Sequence, residues 1–431
     1  MRILLTGANG FIGSQLLAGL RARGHEMVAA VRDPAAFRRK WPGVETLGVN
    51  FNRDTRPEAW RSRLAGADAV INCAGVLHGG RGQDIEAIHA IAPIALFDAC
   101  AAAEIRRVVQ VSAISADDEA GTEYSVTKKR ADDHLRTLPL DWTVLRPSLV
   151  YGEGSYGGTS AVRGLAGLPG ITPLVGDGSA AFRPIHIDDL VETVARVVET
   201  DRFARQTLEP VGPEVVTLRG LIEKYRSWLG LAPVPTLTIP MPVMRVAAGI
   251  ADLAGGGPLG TASLRQLEVG NAGREPATAF ADKIGFTPRR MDDMLARRPA
   301  QTQDLWHARL YFLRPLLRAV LILLWIGSAL AGVLAPVASY AMVDAAFSSL
   351  GLPSRPLALA FSGVDLLIAG ALLVRWRPHW MAAIQVAVVA GYTILLTVLA
   401  PALWLEPFGA LLKNLPILAL IGVWMVLEEE R

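Results

Sequence analysis

The sequence predicts an α/β fold, a doubly wound parallel sheet with a small second lobe, followed by an all-α bundle of four membrane-spanning helices. Three features carry that expectation. An apolar strand runs straight into a glycine-rich turn within residues 1–13, strands and helices alternate as far as residue 150, and charge falls away after Arg318.

The opening stretch ends Thr6-Gly-Ala-Asn-Gly-Phe-Ile-Gly13. A turn of this form after a strand and before a helix suits a dinucleotide phosphate. Gly7 permits the tight turn, Gly10 lets the backbone approach a pyrophosphate, and Gly13 lets the new helix pack on the sheet. Gly7, Asn9, Gly10, Phe11, Ile12 and Gly13 are therefore candidate cofactor-binding residues, with a helix expected over 11–20. Strands follow at 27–31, near 46–51, at 69–72 and at 107–111, and a sixth is expected at 145–150. Such alternation implies a parallel sheet covered on both faces, the Rossmann arrangement.

The residue after the second strand selects the cofactor, since a carboxylate accepts from a free ribose hydroxyl and an arginine accommodates a 2′-phosphate. Here the strand ends Val31-Arg32-Asp33-Pro34, with Arg38, Arg39 and Lys40 beyond. Arg32 favours NADP(H), and Asp33 leaves NAD(H) open.

The 431 residues carry a net charge of only +3 with scattered basic residues, which argues against a nucleic-acid partner. Two cysteines, Cys73 and Cys100, are too few for a four-cysteine metal site and suit a reducing compartment. The N-terminus reads as a core strand and not as a cleavable leader.

From 319 to 427 the only charged residues are Asp344, Arg355, Asp365, Arg375, Arg377, Glu406 and Lys413. They separate apolar stretches at 319–339, 356–374, 380–399 and 408–427, each about long enough to cross ~30 Å of hydrocarbon as a helix. Arg309, Arg314 and Arg318 precede the first span and Arg375 with Arg377 separate the second and third. This basic excess places the N-terminal domain and the C-terminus in the cytoplasm, with the spans in the inner membrane. Asp365 falls inside the second span, where a carboxylate is costly and serves either bundle packing or a proton or quinone pathway. Lys413, near a span end, can reach the interface.

Five motifs then occur in order: the glycine turn, Asn72-Cys-Ala-Gly75, Tyr124-Ser-Val-Thr-Lys128, Leu145-Arg-Pro-Ser148 with Val150-Tyr-Gly152, and Pro184-Ile-His-Ile-Asp-Asp189. With them, residues 1–295 resemble the extended or atypical short-chain dehydrogenase/reductase superfamily, of the NAD(P)-dependent epimerase/dehydratase type. Within it the chain looks closest to the branch containing the NADPH-binding accessory subunit of respiratory complex I. The membrane part, with Lys413-Asn-Leu-Pro416, resembles DoxX-like four-helix domains.

The resemblance implies that Tyr124 and Lys128 are the catalytic pair. A spacing of four puts both on one face of a helix expected over 123–138. In the superfamily the lysine lowers the tyrosine's pKa and the phenol exchanges a proton with substrate. A serine or threonine usually stands where this chain has Ala113. Ser112, one residue early, is the remaining candidate, with Ser115 as a substitute from the loop. The resemblance further places Asn50 near adenine, Cys73, Ala74 and Gly75 against the cofactor, and Pro147 beside the nicotinamide. His186, Asp188 and Asp189 are read as packing and capping a helix over 188–199, so no metal is expected.

The domains expected are a Rossmann domain over 1–150, a substrate lobe with returning Rossmann segments over 151–300, a linker over 301–318, and a membrane domain over 319–431. The activity expected is an NAD(P)(H)-dependent oxidoreductase or epimerase anchored in the bilayer, acting on a lipophilic substrate related to quinones or isoprenoids. The other reading is a non-catalytic NADPH-binding scaffold for a respiratory or quinone-synthesis complex.

Overall fold

The computed structural model describes residues 1–77, 79–80, 83–119, 121–154, 157–253, 260–334, 354–406 and 409–429. The chain divides into two compact units, Met1–Ala308 and Arg309–Arg431.

The first unit is built on strands β1 (Arg2–Thr6), β2 (Glu26–Val31), β3 (Glu45–Gly48), β4 (Ala69–Asn72), β5 (Arg107–Val111) and β6 (Asp141–Leu145). With the edge strand Gln206–Leu208 they form one seven-stranded sheet, in which Gln206–Leu208 is followed by β6, β5, β4, β1, β2 and β3. Every pairing is parallel. The order reverses between β1 and β4, so a crevice opens beyond the carboxyl ends of these two strands, where doubly wound sheets bind ligands.

Alternation along the strands builds two cores, because successive side chains point to opposite faces. Ile3, Leu5, Ile71 and Val109 pack on one face with Leu16, Leu17 and Leu20 of helix α1 (Phe11–Ala22). Leu4, Val70 and Val108 pack on the other with Trp60, Phe97 and Leu135. Other helices on the sheet are α2 (Pro34–Lys40), α3 (Glu58–Arg61), α4 (Ala92–Ala102) and α5 (Glu123–Thr137). The sixth strand departs from the expected 145–150. Its apolar run Trp-Thr-Val-Leu ends at Leu145, and Pro147, which has no N–H for a ladder, falls in the loop beyond.

The second lobe gathers around α6 (Gly158–Gly167) and α8 (Leu218–Trp228), whereas α7 (Ile187–Glu199) packs beside α1 on the sheet. Tyr151, Val162, Leu221 and Tyr225 form its core. The His186 Nδ1 accepts from the backbone N–H of Asp188 and caps α7. Asp189, 3% exposed, accepts from the Arg289 backbone N–H at 2.9 Å and from its Nε at 2.8 Å. Both residues are thus spent on structure.

In the second unit, the helix Thr302–Leu334 is continuous across Pro315. It covers the segment expected as a linker, since one proline removes a single backbone hydrogen bond and leaves the turns on either side intact. At ~1.5 Å per residue it is longer than ~30 Å of hydrocarbon, and its apolar part follows Arg318. The expected end of the first span, 335–339, and Asp344 lie outside the described residues. The helices Ser354–Leu373 and Pro378–Leu399 match the second and third expected spans. The fourth helix, Asn414–Leu427, has only 14 residues and reaches ~21 Å. Turns at Gly409–Lys413, where Gly409 takes a φ of +61°, precede it. Among the described residues, three helices are long and apolar enough to cross a membrane. Leu323, Leu367, Ile394 and Val398 are exposed on them, as lipid-facing side chains would be. Glu428, just past the last helix, is buried, with Arg375 at 3.0 Å and Arg314 at 3.6 Å. These pairs gather the approach to the first span, the turn between the second and third, and the C-terminal end at one end of the bundle.

Replacing Asp189 with alanine leaves Arg289 without its buried acceptor. Thermal and urea unfolding of the full chain are expected to show a loss of about 3 kcal/mol in the first unit.

Candidate nucleotide-binding and catalytic site

The crevice at the switch point is floored by the β1–α1 turn. Gly7 adopts a φ of +68°, and a Cβ there would come within 2.6 Å of the Cys73 carbonyl oxygen. A Cβ on Gly13 would overlap the Gly7 carbonyl oxygen. The turn is closed by the Gly10 N–H donating to the Gly7 carbonyl at 2.9 Å. No side chain caps α1. Its first N–H groups, which have no acceptor inside a helix, and the positive end of its dipole therefore face the crevice. Phe11 and Ile12 turn inward onto the core beneath, while Asn9 is exposed.

A buried polar chain ties the strand ends that border this turn. Thr6 Oγ1 donates to Asn72 Oδ1 at 2.5 Å, Asn72 Nδ2 donates to Gln110 Oε1 at 2.7 Å, and the Cys73 N–H donates to Thr6 Oγ1. It fixes Cys73, Ala74 and Gly75 where they leave β4.

At the end of β2, Asp33 accepts from the Ala36 N–H at 2.9 Å and caps α2. Arg32 beside it is exposed. Asn50 turns its Oδ1 onto the Asn52 N–H, making a local turn beyond β3.

Tyr124 and Lys128 lie one turn apart on α5, with the Lys128 Nζ 5.7 Å from the centre of the Tyr124 ring. Thr122 caps this helix through the Ser125 N–H. Lys128 is buried, donates to the Val111 carbonyl at 3.3 Å, and has its pKa held below the usual lysine range by that burial, against the opposing pull of Asp132. Its Nζ would lie 3.4 Å from a Cβ on Gly75, so the pair stands directly against the β4 loop.

Behind the pair stands His89, on a single π turn, Ala87–Ile91, at the start of α4. Pro93 has no N–H for the carbonyl of His89, and the wider turn accommodates that gap. The Val76 N–H donates to His89 Nε2 at 3.0 Å, so the neutral ring carries its proton on Nδ1, which donates to Thr127 Oγ1 at 3.2 Å. Thr127 passes its own proton to the Glu123 carbonyl. The His89 ring also meets Tyr124 edge-on at 5.1 Å. Burial, with Lys128 nearby, lowers its pKa to about 2. The imidazole is a fixed neutral strut between the β4 loop and α5.

Ser112 is buried, and its hydroxyl donates to Asp132 Oδ2 at 2.8 Å. Arg146 Nε and Nη2 hold the same oxygen at 3.0 and 2.9 Å. The Pro147 carbonyl accepts from the Ile114 N–H, pinning the loop after β6 to the loop after β5. Among the described residues, no group of three or more metal-ligating side chains was found.

Residues 7–166 match the NAD(P)H-binding family and residues 322–422 match the DoxX-like family. The chain is similar to the mitochondrial NADH-ubiquinone oxidoreductase 40 kDa subunit of Neurospora crassa, with 22% identity over 65% of this chain and 74% of that protein. It is similar also to a ceramide reductase of Caulobacter vibrioides, with 24% identity over 58% of this chain and 77% of that protein. Among solved structures, MoeE5 in complex with UDP-glucose and NAD shares the fold of the first unit. Its TM-score is 0.53 at 20% identity, covering 72% of this chain and all of that one.

The chain joins an NAD(P)-binding, epimerase/dehydratase-like Rossmann domain to a DoxX-like domain. The Rossmann domain brings Gly7, Gly10, Gly13, Cys73, Ala74 and Gly75 to one crevice. It brings Tyr124 and Lys128 against the same β4 loop. Sequence reasoning passed over His89. Its one visible signal was a lone histidine four residues before Pro93 in an otherwise apolar helix.

The lowered His89 pKa makes a signed expectation. Between pH ~6.5 and ~2 the unfolded chain binds a proton at this ring that the folded chain does not, so stability falls as pH drops through that window. Unfolding free energies of His89→Asn against pH are expected to show an acid slope shallower by up to about 1.4 kcal/mol per pH unit. Equal slopes would mean that the ring is not held neutral.

Proposed function

We propose that this protein is a membrane-anchored NADP(H)-dependent oxidoreductase of the short-chain dehydrogenase/reductase superfamily, working on a lipophilic alcohol or carbonyl compound at the cytoplasmic face of the inner membrane. The observation that carries the reading is the Tyr124–Lys128 pair standing one turn apart on α5 against the loop that leaves β4 beside the glycine turn.

The residues present fit a dinucleotide. The turn leaves no room for side chains at Gly7 and Gly13, and the N-terminus of α1 is left uncapped. Gly7, Asn9, Gly10, Phe11, Ile12 and Gly13 would hold the pyrophosphate, Asn50 would approach adenine, and Cys73, Ala74, Gly75 and Pro147 would flank the ribose and nicotinamide. When bound, the nicotinamide supplies or accepts a hydride. The Tyr124 hydroxyl then holds the proton that the substrate oxygen gains or loses, and the Lys128 ammonium favours the ionised phenol. His89 keeps α5 at a fixed distance from the β4 loop, so the phenol cannot drift from that oxygen.

NADP(H) is supported by the capping role of Asp33. Its carboxylate already accepts from a helix N–H, whereas Arg32 is exposed and can meet a 2′-phosphate. The cytoplasmic placement is supported by Arg314 and Arg375 converging on Glu428 at one end of the bundle, the end where the basic residues concentrate. A tether to the bilayer raises the encounter rate with a substrate dissolved there.

A second reading is favoured by Ser112. With alanine at 113 and the Ser112 hydroxyl committed to Asp132, the hydroxyl that usually orients the substrate oxygen is replaced by none on β5 itself. A removed donor of this kind costs ~3 kcal/mol in other enzymes. A slow enzyme, or a cofactor-holding component of a respiratory or quinone-synthesis assembly, is consistent with that.

Tyr124→Phe separates the two. The oxidoreductase reading expects NADPH oxidation with a prenylated ketone to fall by at least about a hundredfold while NADPH affinity holds. The scaffold reading expects no turnover to lose and an unchanged cellular phenotype. For the cofactor, Arg32→Glu is expected to weaken NADPH at least about tenfold and leave NADH within about twofold, by loss of ~1.5 kcal/mol of charge-assisted bonding.

A further inference from the structure

The second unit holds an uneven set of charges that the nucleotide site does not use. Arg318 lies on the helix Thr302–Leu334, Arg375 just past Ser354–Leu373, and Glu428 just past Asn414–Leu427. The Glu428 side chain is 2% exposed and meets Arg375 at 3.0 Å and Arg314 at 3.6 Å. Among the described residues, the charged groups that face Arg318 are Arg314, Arg375 and Glu428. Two guanidiniums against one carboxylate put Arg318 in a positive field. The turn between the helices adds to this. Arg375 and Arg377 both take left-handed backbone there, at φ +52° and +39°, where glycine is relaxed and arginine is strained.

A narrow cleft with about 170 Å³ of empty space, part of it open to the surroundings, lies at this end of the bundle. Leu372, Met381 and Trp424 line it from the buried side, and Arg375 and Trp376 line it as exposed residues. The indole N–H of Trp424 has no acceptor among the described residues. A buried donor without an acceptor carries its desolvation cost, and like charges brought together repel. An anion with several oxygens relieves both. All these groups stand at helix ends, the level at which lipid headgroups lie, and basic pockets between helices there select anionic ones. The planar guanidinium matches two phosphate oxygens at once. We propose that this cleft binds the phosphate of an anionic phospholipid headgroup, with Arg375 and Arg318 as its cationic partners and the Trp424 N–H as a neutral donor. Leu373 and Val374, exposed next to Arg375 in the chain, give the acyl chains an apolar surface. The site rests on the membrane reading of the second unit and on nothing in the Rossmann domain.

The test titrates the full chain in detergent micelles, with no nicotinamide present, and reads bound lipid by native mass spectrometry. Phosphatidylglycerol is expected to bind at least about tenfold more tightly than phosphatidylcholine with the same acyl chains. Inorganic phosphate at millimolar concentration is expected not to displace it. Arg375→Gln is expected to weaken phosphatidylglycerol at least about tenfold, the worth of one charge-assisted hydrogen bond. Arg318→Gln leaves both pairs to Glu428 in place, so the bundle keeps its fold, and is expected to weaken the lipid at least about fivefold. Arg355→Gln, at the opposite end of the helix Ser354–Leu373, is expected to change nothing. Equal affinity for the two lipids, displacement by phosphate, full affinity in Arg318→Gln, or an equal loss in Arg355→Gln would each overturn the proposal. A chain that stays in solution without detergent would remove the membrane reading and the proposal with it.

Discussion

The absence of side chains at the first βα turn is the constraint on which the rest of the molecule depends. A Cβ at Gly13 would strike the Gly7 carbonyl, and one at Gly7 would strike the chain leaving β4. With both bare, α1 lies close on the sheet and the ends of β1 and β4 come together at the point where strand order reverses. The Thr6–Asn72–Gln110 chain then ties three strand ends into one edge. What this leaves open is a helix N-terminus aimed at a crevice, the electrostatic and steric form of a phosphate cradle.

Around that edge, charge is placed by burial. Lys128 sits in a closed position with a backbone carbonyl as partner, and His89 beside it stays uncharged. Two cations so close in a dry site would repel, and the neutral ring removes that conflict while still joining Val76 to Thr127. One turn further along the same face of α5, Asp132 gathers Ser112 and Arg146 into a buried, hydrogen-bonded knot. Tyr124, Lys128 and Asp132, each four residues after the last, thus form one stripe along α5.

The parts of this that the sequence carried were those encoded locally. The glycine turn, the alternation of strands, the spacing of Tyr124 and Lys128 and the apolar stretches beyond Arg318 are all properties of short windows. The misplaced sixth strand shows a weaker local signal: the proline at 147 ends the ladder earlier than the motif around it suggests. The roles of Ser112 and His89 were illegible for a different reason. Their partners, Asp132, Val76 and Thr127, lie 13 to 38 residues away, and only folding decides which hydroxyl or imidazole nitrogen meets which group. The fourth membrane helix was overestimated because hydropathy continues through Gly409–Lys413, where the backbone turns. The helix runs on through Pro315, within the segment expected as a linker, because one proline forbids one hydrogen bond and not the helix.

Within the second unit, Glu428 with Arg314 and Arg375 gathers charge at one end of a bundle that is otherwise nearly bare of it. One chain joins an NAD(P)-binding domain to a DoxX-like domain whose described helices include three long and apolar enough to cross a membrane. The most direct test of that account is a titration of the purified full chain, held in detergent micelles, with NADPH and with NADH, followed by nicotinamide fluorescence. Saturable binding of one nucleotide per chain, absent when Gly13 is replaced by valine in a variant that still folds, is the predicted result. Failure to saturate with either nucleotide would contradict the account at its root.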